Sequence, residues 1–137
     1  MRNRLDFVSD SEFDVPIGAP NALPYDATGT LRTKYWKYNH NNAGLHIIVR
    51  EATAYNGIMT ASVLTLWGYA ENEAGDALPP AKVFQFSVSD SLPNDVEVTA
   101  NCVGYAFLYL QNDSGTAVKA SIIRESKRSS SGNVASY

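Results

Sequence analysis

From Leu31 to Glu125 the chain is a succession of short β-type runs, each cut off by turn residues before a helix can form, and this punctuation bounds the fold more tightly than any other feature. The run AKVFQFSV (81–88) sets Phe84, Phe86 and Val88 on one side and Gln85 and Ser87 on the other, the period of two that a half-buried strand requires. IMTASVLTLWGYA (58–70) is apolar on both alternating faces, as expected of an inner strand covered on both sides. LRTKYWKYN (31–39) and GLHIIVREAT (44–53) flank an Asn/Gly stretch and read as a hairpin. Residues 96–103 and 105–111 meet near Gly104, and the turn NDSG (112–115) followed by AVKASIIRE (117–125) predicts a second hairpin. No window shows a capped helical stripe. The pattern predicts an all-β chain, a single antiparallel β-sandwich of 7–8 strands, jelly-roll or immunoglobulin-like, over residues 31–126.

The leading segment reads differently. DVPIGAPNALPYDATGT places Pro16, Pro20 and Pro24 four residues apart, and each proline removes a ladder donor and biases its predecessor to extended geometry. Residues 1–30 are therefore expected to form an extended N-terminal arm, and KRSSSGNVASY (127–137) a polar C-terminal tail. The arm carries Phe7, Val8, Phe13, Val15, Ile17, Leu23 and Tyr25, side chains that do not stay in water. It needs a surface, either its own body's or a neighbour's.

Length and charge narrow the function. A chain of 137 residues suits one domain with its own core. The net charge of −3 disfavours general nucleic-acid binding. That charge is uneven: residues 51–100 hold seven Asp/Glu against a single lysine, Lys82, between near-neutral and basic ends. Cys102 is the only cysteine, which excludes an internal disulfide, and it reads as a small buried hydrophobe. Arg2 and Arg4 are followed by Asp6, Asp10, Glu12 and Asp14 with no apolar h-region, so no signal peptide is expected, and no apolar run is long enough for a membrane helix. Asn112-Asp113-Ser114 matches a glycosylation sequon but reads as a turn.

Catalytic parts are missing. The sequence has no Gly-x-Ser-x-Gly elbow, no phosphate-cradling glycine loop and no His-Glu-x-x-His. His40 and His46 flank a turn without further ligands at zinc spacing. Glu71, Glu73 and Asp76 crowd one loop, without the spacing of an EF-hand. No catalytic residue, metal or cofactor is expected. In TKYWKYNHNNAG (33–44), Lys34, Trp36 and Tyr38 share one side of a strand and Thr33, Tyr35 and Lys37 the other, so the aromatics split rather than form one platform. Trp and Tyr in such a run suit a packing or subunit contact. The docking residues read from the arm and this run are Phe7, Phe13, Val15, Ile17, Leu23, Tyr25, Trp36 and Tyr38.

The arm, together with the strand-turn-strand ending FLYLQNDSGTAVKASII, is similar in general plan to the small β-sandwich decoration, or cement, proteins on the heads of tailed bacteriophages. The resemblance implies a non-enzymatic virion structural protein, made in the host cytoplasm and placed on the capsid surface. Its partners would be the major capsid protein and copies of itself, with a trimer favoured, and neither nucleic acid nor membrane. A carbohydrate-binding or receptor-binding β-sandwich module is the alternative, with Trp36, Tyr38 or Trp67 as stacking faces.

Overall fold

The computed structural model describes residues 4–9, 11–38, 44–54, 62–88, 94–98, 105–114 and 117–126. They form nine strands: β1 (Arg4–Phe7), β2 (Phe13–Asp14), β3 (Trp36–Lys37), β4 (Gly44–Glu51), β5 (Ser62–Tyr69), β6 (Ala81–Val88), β7 (Asn94–Val98), β8 (Phe107–Ser114) and β9 (Val118–Ser126). All named pairings are antiparallel. The first sheet runs β1-β9-β4-β7, with β2 following β1 along the same edge of β9, and the second runs β3-β8-β5-β6.

The pairings nest. β5 pairs with β6, β4 with β7, β3 with β8, and β2 with β9. The chain is thus one long antiparallel ribbon, closed by the β5–β6 hairpin and rolled until β4 meets β9 and β5 meets β8. That order is the jelly roll and not the immunoglobulin sandwich. The core lies between the sheets, where Leu45, Ile47, Val49 and Ile122 face Leu64, Leu66, Leu108 and Leu110, all fully buried. Each such side chain contributes about 1.5–3 kcal/mol before ordering costs.

Both expected hairpins on either side of β5 and β6 are corrected. β3 pairs with β8, whereas β4 pairs with β7 and β9, so Trp36–Lys37 and Gly44–Glu51 lie in different sheets. β8 and β9 likewise face one another across the core instead of lying side by side. Asn112, Asp113 and Ser114 of the expected NDSG turn belong instead to β8, which continues through Ser114, and the rest of that turn lies outside the described residues. β3 is short because Lys34 takes a left-handed φ of 72° and ends the extended run. Its ammonium donates to the carbonyl of Asp14 at 2.8 Å, which ties this turn to the leading segment.

The leading segment lies on its own body. β1 and β2 pair with β9, setting Phe7 opposite Ile123 and Phe13 opposite Ala120. At Ser9 the ladder breaks, and the buried Ser9 hydroxyl accepts the Ile122 amide at 3.0 Å in its place. Ion pairs Glu12–Arg50 (2.6 Å) and Asp14–Lys119 (3.0 Å) fasten the outer side. At Pro16 the chain crosses to the second sheet, where its carbonyl accepts the Asn112 amide at 2.9 Å. Prolines are tolerated here because the segment runs along sheet edges, where a missing donor costs little.

Candidate functional site

The eight docking residues read from the sequence do not form one surface: Phe13, Val15, Trp36 and Tyr38 meet in the protein's own core, apart from the rest. Phe13 and Val15, each 7% exposed, belong to the core, and Tyr38 joins them at 4%. Trp36 is half-buried against Phe13, with ring centroids 4.9 Å apart. Tyr25 meets Phe107 edge-on at 5.3 Å. Phe7 is a strand residue of β1. Ile17 (80% exposed) and Leu23 (49%) remain in solvent. The physical reason is the ladder to β9, which turns alternate side chains of the arm inward and spends them on the chain's own core.

A different face gathers polar and aromatic groups. On β5, Leu64 and Leu66 point into the core, so Thr65 and Trp67 point outward from the second sheet. The register places Gln85 of β6 on one side of Thr65 and Gln111 of β8 on the other, with Lys82 and Tyr109 flanking Trp67 in the same way. The Trp67 indole N–H donates to Gln111 Oε1 at 2.8 Å. The Thr65 hydroxyl donates to Asp113 Oδ2 at 3.0 Å, and Gln85 Nε2 donates to Thr65 Oγ1 (3.1 Å) and to Asp113 Oδ2 (3.3 Å). Gln111 Nε2 donates to the other carboxylate oxygen of Asp113. Gln85 and Asp113 are exposed, Trp67 and Gln111 half-buried. The network locks the indole and both amides in place. An ionised carboxylate offers about four acceptor sites; side chains of the face take three of them. A further acceptor site on Asp113 and the carbonyl oxygen of Gln85 are left for a ligand's hydroxyls among the described residues.

One end of this face is covered by a second aromatic cluster, Tyr35, Tyr69, Phe107 and Tyr109. Its hydroxyls hold residues 18–22 against the sheet: Tyr69 (2.7 Å) and Tyr35 (3.3 Å) both donate to the Ala22 carbonyl, and Tyr109 to that of Gly18 (3.1 Å). Burial, and then the neighbouring Tyr35, push the Tyr69 and Tyr109 hydroxyls above the ordinary tyrosine value, so they stay protonated donors. Beside this cluster Pro20, Asn21, Ala22, Leu23, Pro79 and Pro80 line a shallow cavity of about 250 Å³.

The remaining candidates lie apart. His46 pairs with Asp95 at 3.0 Å on the outer side of the first sheet. His40 and Cys102 lie outside the described residues. Glu71, Glu73 and Asp76 are exposed on a loop whose turn is closed by Asn72, and no three metal-ligating side chains cluster among the described residues. Asn112, at 2% exposure in the middle of β8, has no room for a glycan, which removes the sequon. Trp67 was named from the sequence as a stacking face. Thr65, Gln85, Gln111 and Asp113 were not, and their one signal was to be polar at outward positions of strong β runs.

No family model matches the chain, and no curated protein matches it. Among solved structures, the chain is similar to the CBM22-1–GH10 modules of Clostridium thermocellum endo-1,4-β-D-xylanase 10B, complexed with xylohexaose, at 10% identity and a TM-score of 0.48, over 90% of this chain and 26% of that one. It is also similar to the CBM22-1 xylan-binding domain of Paenibacillus barcinonensis Xyn10C, at 18% identity and a TM-score of 0.37, over 65% of this chain and 59% of that one. The chain thus spans about a quarter of the first structure's length. At such scores neither neighbour's ligand transfers to this chain.

Proposed function

We propose that this chain is a non-catalytic carbohydrate-binding β-sandwich module, and that the outer face of β8-β5-β6 is its ligand surface. The observation that carries this reading is the Trp67 indole, pinned at its N–H by Gln111 and bordered by the Thr65–Gln85–Asp113 network. A sugar ring presents an apolar C–H face and an equatorial rim of hydroxyls. It is matched by an aromatic ring flanked by amide and carboxylate groups, which accept and donate in one plane. The network is rigid before the ligand arrives, so little ordering cost falls on binding. An array of neutral and acidic oligosaccharides tests the reading. Trp67→Ala should weaken the best hit by roughly thirtyfold or more, as expected of a central aromatic anchor. An array without hits, or unchanged affinity in the variant, would end it.

A capsid-decorating role keeps one specific observation in its favour, the solvent-facing Ile17 and Leu23 on the arm. Copies meeting a capsid or one another through these side chains would form a stable oligomer in solution, with a trimer favoured. Sedimentation of the intact chain and of an Ile17→Ser/Leu23→Ser variant tests it: an intact chain that stays monomeric sinks this second reading.

A further inference from the structure

We propose that the ligand face takes an acidic glycan, a chain containing hexuronate residues whose carboxylate pairs with Lys82, an inference that rests on the glycan-binding reading above. Lys82 reaches this face through a β-bulge. Leu66 lies opposite Phe84, but Trp67 lies opposite Lys82, because Val83 is the extra residue between them. Without the bulge, Val83 would face Trp67. With it, Val83 turns to the other side of the sheet, where a Cβ on Gly68 would lie 2.8 Å from its methyl group. Bulges of this kind re-aim a side chain next to a binding site.

The re-aimed ammonium lies 5.7 Å from the centre of the Trp67 ring. It forms no ion pair among the described residues, whose ion pairs use His46, Arg50 and Lys119 instead. This is notable given its setting. Lys82 is the single cation of residues 51–100, which hold seven acids, with Glu71, Glu73 and Asp76 shortly before it in the chain. A sugar ring that stacks on the indole takes the ammonium's place. A neutral sugar forfeits the cation–π attraction and returns to the ammonium only neutral hydroxyl oxygens as hydrogen-bond acceptors. A uronate accepts the displaced ammonium in a charge-assisted hydrogen bond at the rim of the same ring. Asp113, at the far end of the face and already holding three donors, leaves the acidic group only the Lys82 end.

The test compares oligogalacturonates, oligoglucuronates and oligomannuronates with the same oligosaccharides carboxyl-reduced to neutral hexoses, by titration calorimetry at low and high salt. At least one acidic series should bind about tenfold tighter than its reduced form. The preference should shrink with added salt, vanish in Lys82→Gln and persist in Lys82→Arg. Equal affinity for both forms, or a preference that survives in Lys82→Gln, overturns the acidic-ligand inference while leaving the glycan reading intact. Absence of binding to every acidic and neutral oligosaccharide overturns both.

Discussion

Gly68 shows how little freedom the second sheet leaves a single residue. A Cβ there would lie 2.5 Å from the Tyr105 ring and 2.8 Å from Val83, too close for any real contact. The glycine lets Tyr105 and the bulged Val83 close over β5 on the side of the sheet opposite the Trp67 face. Gly68→Ala should destabilise by about 1–3 kcal/mol through overpacking, read as a lower urea midpoint at unchanged slope. Tyr69 is a gentler probe. Its hydroxyl donates to Ala22, whose carbonyl also accepts from Tyr35, so Tyr69→Phe should cost only about 1 kcal/mol. A loss well above that range would mean that the hydroxyl holds more than the loop. Trp67 and the polar side of AKVFQFSV stood out in the sequence, but their meeting did not. Gln111 and Asp113 come from a strand some forty residues further on, and only the β5–β8 register sets them beside Thr65.

At the scale of the element, the leading segment is the instructive case. Its apolar side chains and its prolines demanded a surface, and both were visible in the sequence. Which surface was not, because a chain that supplies no core of its own is equally served by a neighbour and by the free edge of its own β9. The edge decides it: Phe13 and Val15 fill the gap beside Ala120 and Val118. Removing residues 1–15 should therefore lower the melting temperature sharply and leave β9 as an exposed sheet edge prone to association. A truncated chain that melts like the intact one would refute this account of the arm. Phe13→Ala alone should cost about 3–5 kcal/mol in chemical denaturation, the range of a large core truncation.

The molecule as a whole should be stable over a wide but bounded pH range. Hydrogen bonding and charge from Lys119 hold Asp14 below the ordinary 3.8, hydrogen bonds from Thr28 and the Thr30 amide do the same for Asp26, and those from Thr53 hold Glu51 below 4.5. For carboxyls lowered in the fold, the stabilisation is complete above these ordinary values and is lost as pH falls through the lowered ones. For Tyr69 and Tyr109, raised in the fold, it is complete below the ordinary 10.0 and is lost as pH rises beyond it. Melting temperature against pH should show a plateau that falls at both ends. A flat alkaline limb would show that the buried tyrosines do not titrate with unfolding.

What the sequence by itself determined was the class of structure. A period of two along short, turn-bounded runs fixes which side chains a strand buries, and this suffices for an all-β sandwich with β5 inside it and β6 half-buried. It does not say which strand lies beside which. That choice depends on closing one large core at least cost in exposed edges, a property of all nine strands together. The tertiary structure alone therefore decided that neighbours in sequence such as β3 and β4, or β8 and β9, part into opposite sheets. The same packing assembled the Trp67 face from three strands and put the arm against its own body.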